Sequence, residues 1–473
     1  MSSASERVAR EDLVTFLNAC HACTGQREFY EAGAEQRLGI EFLHEYVLGN
    51  YRSLYARALA CGVNHFNQAL IVANLLATGR RATPEQRREE GRLIARALER
   101  LPTQRAMHLF EELARRRVNN RRARAVVRDY LARARDPDFL AVKYRRSMRR
   151  AVSHAHAPLP AERASFLRYG ARARAYKAEL FETFRRAHYA RDALYELPFS
   201  VAEGLAHKFG VPREVFLRRI EPRLTAGERL RLQGASAEAL GRAYAIDPRS
   251  LPLTKLASYA LSLPPGERQK RAAELDAWLA AAAKRAARRA GASFGRVACV
   301  LDRSYSSSGS SDKRKRPLAL ALAVSRFLRE ASSAYAAFWT AQTDDELCVT
   351  PLGATDLATP LLDALAWGPE LVVVVSDGYE NDPPGAAGDV VRVAREKLGA
   401  PPVVHLNPVF EARSFAPRGL GAAVPTVGVR DVDEVPMLLT LCLFASGGAS
   451  LAELERHFEA RARAFLEGGR AAD

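Results

Sequence analysis

Apolar residues recur at intervals of three and four along the first part of the chain, from Asp12 to about Arg289. For example, Leu13, Phe16, Leu17 and Cys20 lie on one face of a helix at this spacing. Gly, Pro and Asn interrupt the pattern often, so each predicted helix has roughly 10 to 18 residues. We therefore predict an all-α, HEAT-like helical array, although no strict sequence repeat is evident.

A different pattern begins near residue 293, where short apolar runs alternate with amphipathic segments. Such alternation is typical of a mostly parallel sheet with helices packed on it. We predict a helical domain over residues 1–292 and an α/β, Rossmann-like domain over residues 293–473. The predicted strands are Val297–Leu301, Tyr335–Thr340, Leu347–Leu352, Leu371–Ser376, Val403–Leu406 and Val424–Val429. The predicted helices are Leu318–Glu330, one that begins with Leu361–Trp367, Val390–Leu398 and Glu453–Leu466.

Polar residues follow two of the predicted strands. The first apolar run ends at Asp302 and opens into a loop with hydroxyl residues at alternate positions, Ser304 and Ser306. Carboxylate and hydroxyl oxygens at a strand end suit a hard cation such as Mg²⁺ or Mn²⁺. A later strand ends in Asp377, and Thr355 follows a glycine turn between the two strands.

This set of motifs resembles the von Willebrand factor A (vWA) domain and its metal-ion-dependent adhesion site (MIDAS). The motifs are D-x-S-x-S, a Thr after a Gly turn, and S-D-G after an apolar strand. The resemblance implies that hydroxyls ligate Mg²⁺ or Mn²⁺ and that the two acids hold it, often through water. The implied ligands are Asp302, Ser304, Ser306, Thr355 and Asp377. An ordinary α/β domain with polar strand ends and no metal is the alternative.

The charge is unevenly distributed along the 473 residues. The chain has a formal net charge of +17, with about +22 in residues 1–295 and about −5 in residues 296–473. Residues 101–150 alone carry a net charge of about +10. A basic field of this density concentrates polyanions and favours salt-dependent phosphate binding.

The densest basic segment runs from Arg115 to Arg150, and arginine is its main cation. Arginine grips phosphate with two hydrogen bonds and stacks on bases. Four tyrosines near this segment could stack on single-stranded bases: Tyr130, Tyr144, Tyr169 and Tyr176. The candidate RNA-binding residues are Arg121, Arg122, Arg124, Arg145, Arg146 and Arg149. The alternatives are solvated helix faces in an Arg-rich protein, a membrane surface, or an acidic protein partner.

Other sequence features bear on location and class. No apolar run reaches the ~18 to 20 residues that a membrane helix needs, and the N-terminus lacks an apolar signal core. The six cysteines are scattered, which fits reduced thiols. We expect a cytoplasmic protein without a membrane association. The Arg and Ala usage favours a bacterial source.

The overall layout, a basic helical part followed by a vWA domain, resembles the Ro ribonucleoprotein family. The helical TROVE module of that family is a ring of HEAT-like helices. The resemblance rests on architecture and charge. It implies a small-RNA-binding protein that holds structured RNA on a basic outer face and admits single-stranded ends into the ring.

Three functions follow from these observations. The first is a non-enzymatic, Ro-like RNA-binding protein with a MIDAS metal. The second is a metal-dependent interaction scaffold that works with an AAA+ ATPase or another acidic partner. The third, least favoured, is a metal-dependent phosphoryl-transfer enzyme, because the sequence shows neither a paired base nor a second metal site.

Overall fold

The computed structural model describes residues 3–248, 251–291, 293–343, 345–445 and 450–468. The chain divides into two compact units. One, called here the helical unit, is Ala69–Asp247; the other, the α/β unit, combines Met1–Gln68 with Pro248–Asp473. The predicted boundary at residues 292 and 293 falls just before the first strand, and the two compact units do not divide there.

The helical unit contains no strand among its described residues. One helix of this unit begins with a capping interaction: the Thr83 side chain accepts a hydrogen bond from the Gln86 backbone N, and Pro84 is the first helical residue. Its helices are α4 (His65–Ala77, which begins in the α/β unit), α5 (Pro84–Arg100), α6 (Thr103–Arg115), α7 (Arg121–Ala132), α8 (Pro137–Lys143), α9 (Arg145–Ala155), α10 (Ala161–Tyr169), α11 (Glu179–Arg186), α12 (Phe199–Lys208), α13 (Arg213–Ile220), α14 (Ala226–Arg231) and α15 (Gln233–Leu240).

The α/β unit has a five-stranded parallel sheet. Its strands are β1 (Phe294–Leu301), β2 (Ser332–Trp339), β3 (Leu371–Val375), β4 (Val403–Asn407) and β5 (Thr426–Gly428). Its helices are α1 (Ser3–Ala22), α2 (Gly33–Asn50), α3 (Arg52–Arg57), α16 (Leu253–Ser262), α17 (Pro265–Lys270), α18 (Ala272–Ala290), α19 (Arg316–Ala331), α20 (Ala358–Ala366), α21 (Ala386–Leu398), α22 (Val435–Ala445) and α23 (Leu451–Glu467).

The strand order β2-β1-β3-β4-β5 creates a switch point beside β1. The chain leaves β1 for β2 on one side and returns to place β3 on the other. In open parallel sheets, ligands bind at the carboxyl ends of the strands at such a point. The topology therefore favours a ligand site among the residues that follow β1 and β3.

The first helices belong to this unit because they cover an edge of the sheet. Helix α1 packs against β5, and the Asn18 side-chain amide donates to the Thr426 carbonyl oxygen at 3.1 Å. An uncovered strand edge exposes unpaired backbone groups, so such a cover is favourable.

The predicted strand Leu347–Leu352 is wrong. Residues Glu346–Cys348 form a short 3-10 turn, and the chain then runs irregularly. The buried Arg268 explains how this backbone is satisfied without a strand partner. Its Nη1 donates to the carbonyl oxygens of Leu347 and Val349 at 2.7 and 2.8 Å.

Candidate functional site

Asp302 is fixed at the carboxyl end of β1 by hydrogen bonds on every side. Its backbone N donates to the Val375 carbonyl oxygen of the adjacent strand at 3.0 Å. Its Oδ1 accepts from the Ser304 backbone N at 2.7 Å, and its Oδ2 accepts from the Ser376 hydroxyl at 2.9 Å. The carboxylate is therefore held in one orientation, between the ends of β1 and β3.

The Ser-rich loop after Asp302 turns two hydroxyls toward each other. A short 3-10 turn at Tyr305–Ser308 follows Ser304. As a result, the Oγ atoms of Ser304 and Ser306 lie 3.2 Å apart. The alternate spacing of the two serines was the signal in the sequence, and the structure brings their oxygens together.

Asp377 reaches the same place from the end of β3. Its Oδ1 accepts from the Tyr379 backbone N at 3.1 Å, and the glycine between them adopts φ +79°. A Cβ on Gly378 would meet the Arg418 carbonyl oxygen at 2.5 Å, so only glycine fits. Asp302 and Asp377 line one narrow pocket.

Thr355 lies on a loop that is hydrogen-bonded to both of the other segments. The Tyr305 backbone N donates to the Gly353 carbonyl oxygen at 3.1 Å. The Thr355 backbone N donates to the Asn381 Oδ1 at 2.8 Å, and the Asn381 backbone N donates back to Thr355 at 3.2 Å. The three loops that carry the predicted ligands therefore form one assembly.

The two acids of this assembly perturb each other. Burial and the charge of Asp302 raise the pKa of Asp377 to about 7, and burial raises the pKa of Asp302. The nearby charge of Arg418 acts in the opposite direction on Asp377. Two adjacent buried carboxylates are costly without a positive partner. Because the donors are all oxygens, the residues present fit Mg²⁺ or Mn²⁺.

Many metal sites are instead built from several His, Cys, Asp or Glu side chains. Within the parts of the chain that the structure describes, no group of three or more such side chains could hold a metal. The assembly above contributes only two acids, and hydroxyls make up the rest.

His405 is a titratable side chain on β4, and both of its ring nitrogens make contacts within the sheet. Its Nε2 donates to the Ser376 carbonyl oxygen at 3.0 Å, and its Nδ1 lies 3.1 Å from the Thr426 hydroxyl. Burial lowers the pKa of His405 to about 4. These contacts fit a structural role for His405.

In the helical unit, two of the six predicted RNA-binding arginines are used for structure. Arg122 Nη1 donates to the buried Glu90 carboxylate at 2.6 Å. Arg145 donates to the carbonyl oxygens of Phe166 and Leu167 at 3.1 and 3.0 Å, and so caps the end of α10. Burial and the nearby charge of Arg149 lower the pKa of Arg145.

The other four arginines are available for a ligand. Arg121, Arg146 and Arg149 are exposed, and Arg124 is half-buried. Among the described residues, none of these four side chains makes a hydrogen bond or ion pair. Unpaired guanidinium groups on packed helices are suited to phosphate contacts.

A pocket of about 270 Å³ between α9 and α10 adds a residue that the sequence analysis missed. Arg149 and Arg168 both line this pocket, and its lining also includes Val152, Leu159 and Leu167. Arg168 lies 5.2 Å from the Tyr169 ring, which is 47% exposed. Arg168 lies outside the dense basic run, so only its placement beside Arg149 reveals it.

The predicted tyrosines differ in their accessibility. Tyr176 is buried and donates to the Gly170 carbonyl oxygen at 2.7 Å. Tyr130 packs edge-on against Phe110, with ring centroids 5.1 Å apart. Of the four tyrosines, Tyr169 presents the largest free surface for stacking on a base.

Among the described residues, no helix has both the length and the apolar character needed to cross a membrane. Comparison with protein-family models and with curated proteins finds no match. Comparison with solved structures finds the crystal structure of the Deinococcus radiodurans Ro (RSR) protein. That structure has a TM-score of 0.51 and 16% sequence identity, and the match covers 93% of this chain and 100% of that chain.

At this level of identity, the likeness shows the fold. The chain therefore shares with a bacterial Ro protein an arrangement of a helical region and an α/β region. The match extends over nearly the whole chain, so it includes the helical part, for which the sequence offered no motif.

Proposed function

We propose that this chain is a non-enzymatic, Ro-like RNA-binding protein whose α/β unit is a vWA domain with a MIDAS metal. The fold likeness to a Ro protein supports the layout, and the basic field over residues 101–150 supports an anionic ligand. The observation that carries the proposal is the set of four arginines without protein partners on α7 and α9.

The proposed RNA contacts are divided between phosphate and base. Arg121, Arg124 and Arg146 would hold phosphates of a structured small RNA. Arg149 would do the same beside the pocket it shares with Arg168, where Tyr169 offers a ring for an unpaired base. The proposed location is the cytoplasm of a bacterium.

A filter-binding salt titration with a structured small RNA tests this part of the proposal. The double variant Arg146→Ala/Arg149→Ala should weaken binding and lower the slope of log affinity against log salt by about 0.7 to 0.9 for each lost phosphate contact. The matched control is Arg213→Ala/Arg218→Ala, which removes two arginines of the same unit that are already paired with Glu203 and Glu214.

Two results would contradict RNA binding by these arginines. One is no RNA retention by the unmodified protein at low salt. The other is equal salt slopes for the two double variants, since the paired arginines should contribute little to phosphate contacts.

The proposed metal ligands are the hydroxyls of Ser304, Ser306 and Thr355, with Asp302 and Asp377 holding the ion directly or through water. A bound Mg²⁺ or Mn²⁺ would neutralise the two buried acids. Titration of metal-free protein with Mn²⁺ by calorimetry should show a site that Asp302→Ala removes. If Asp302→Ala binds Mn²⁺ as well as the unmodified protein, the metal site lies elsewhere.

A second function, a metal-dependent scaffold for an AAA+ ATPase or other acidic partner, follows from the same ligand set. An octahedral ion with five side-chain groups has room for a further oxygen ligand, such as a partner's carboxylate. A pull-down that compares the unmodified protein with Asp302→Ala separates the two functions. Loss of a protein partner with unchanged RNA retention favours the scaffold.

A further inference from the structure

The predicted metal ligands are less accessible than a docking site for a partner requires. Asp302, Ser304, Ser306, Thr355 and Asp377 are each at most 6% exposed. A partner's carboxylate has to reach the ion from outside, so binding depends on which part of the chain covers this face.

The segment between α1 and α2, residues 26–31, lies against the loops that carry the ligands. Phe29 and Tyr305 pack edge-on, with ring centroids 6.2 Å apart, and Tyr305 lies between the two ligand serines. The rings of Tyr30 and Tyr379 are 4.2 Å apart, and Tyr379 follows Asp377 by two residues. Phe29 and Tyr30 thus contact two of the three ligand loops, the one that follows β1 and the one that follows β3.

Buried polar contacts hold this segment in place before the two aromatic residues. The Ser310 hydroxyl donates to the Arg27 carbonyl oxygen at 2.8 Å. The carboxylate of Glu28 forms an ion pair with Lys313, and both side chains are buried. The segment is therefore tied to the loop that leads into α19.

A second set of contacts holds the segment after the aromatic residues. The Glu31 carboxylate accepts from the Ala412 backbone N at 2.7 Å and from the Arg413 backbone N at 3.4 Å. The Gln36 side-chain amide donates both to Glu31 and to the Phe410 carbonyl oxygen. Because both ends are fixed, Phe29 and Tyr30 have a defined position over the site.

Burial and the nearby charge of Asp377 raise the pKa of Tyr30. Its ring packs on that of Tyr379, which lies two residues after Asp377. Tyr30 is 51% exposed, and the neighbouring Tyr305 is 68% exposed. Of these two tyrosines, only Tyr30 belongs to a segment outside the ligand loops.

We propose that Tyr30 closes the metal site from within the chain, on the side from which an external carboxylate would approach. This inference rests on the proposed metal site. The site then serves as a clasp between residues 26–31 and the sheet, and an acidic partner binds there only after Tyr30 moves. The proposed scaffold function is accordingly disfavoured while the segment is in place.

Calorimetric titration of the full chain with Mn²⁺, with and without acetate, tests the inference. Acetate stands in for a partner's carboxylate. In the unmodified protein, acetate should leave the Mn²⁺ affinity unchanged. In Tyr30→Ala, acetate at about ten times its own dissociation constant should raise the Mn²⁺ affinity about tenfold, because the two ligands then bind together. Tyr305→Ala is the matched control and should behave like the unmodified protein.

The outcomes separate this inference from the metal site itself. If the unmodified protein binds Mn²⁺ but responds to acetate as strongly as Tyr30→Ala does, the site is open and the inference is overturned. No response to acetate in Tyr30→Ala also overturns it, because removal of the ring then opens nothing. If the unmodified protein binds no Mn²⁺, the proposed metal site fails and the inference fails with it.

Discussion

The two acids among the candidate metal residues of the α/β unit are buried, whereas the available RNA-binding arginines of the helical unit are mostly exposed. Asp302 and Asp377 are each 3% exposed, while Arg121, Arg146 and Arg149 lie on the surface. Burial makes the acids strongly dependent on their neighbours, since a buried charge needs a partner. The exposed arginines are well solvated without one, so they can exchange water for phosphate.

The cost of removing a charged side chain therefore depends on its surroundings. In the α/β unit, the folded state depends on the charged groups it encloses. In the helical unit, Arg122 and Arg145 resemble the enclosed charged groups of the α/β unit, because each of these two side chains has a protein partner. The following predictions test this division.

The largest effect is expected at the buried ion pair between Glu28 and Lys313. The variant Lys313→Met leaves a buried carboxylate unpaired, which should lower the free energy of unfolding by about 3 to 5 kcal/mol. Arg218→Met, which breaks an exposed pair of the helical unit, should cost about 0 to 1 kcal/mol. Chemical denaturation of both variants measures the contrast, and equal losses would contradict it.

A smaller effect is expected at His44, which is buried in the α/β unit and hydrogen-bonded to Tyr55 and Asn67. Burial lowers the pKa of His44 to about 4. The contribution of His44 to the free energy of unfolding is therefore complete above the unfolded pKa of about 6.5. It is lost as the pH falls toward 4, and the total loss is about 3 kcal/mol.

Urea denaturation at several pH values measures this loss. The stability of His44→Gln should fall less steeply between pH values of about 6.5 and 4 than that of the unmodified protein. His108→Gln, at an exposed position of the helical unit, is the matched control. Parallel curves for His44→Gln and the unmodified protein would show that folding does not shift the pKa of His44.

The smallest effect distinguishes two adjacent arginines of α9. Arg145→Ala removes the cap of α10 and should cost about 1 to 3 kcal/mol, because carbonyl oxygens lose a charged donor. Arg146→Ala should change stability by less than about 0.5 kcal/mol while it weakens RNA binding. Thermal unfolding and RNA retention of the two variants give the comparison. A larger loss of stability in Arg146→Ala would reverse our assignment.

The local patterns predicted the α/β part well where each residue's environment follows from its neighbours in sequence. The strands at Val297–Leu301, Leu371–Ser376 and Val403–Leu406 were predicted close to their observed positions, because continuous apolar runs suit strands buried on both faces. The prediction of a strand at Leu347–Leu352 was wrong, because the distant Arg268 satisfies carbonyl groups of this segment.

The sequence alone was sufficient to predict that Asp302, Ser304, Ser306 and Asp377 lie at one edge of a sheet. Each residue follows an apolar strand, and parallel strands place their carboxyl ends together. Two other features depended on contacts between residues far apart in the chain. These are the cover that Tyr30 forms over the site and the separation of Arg145 from Arg146. A periodic pattern states which face of a segment is apolar, but it does not state which distant segment will pack there, and that packing decides which charges are enclosed.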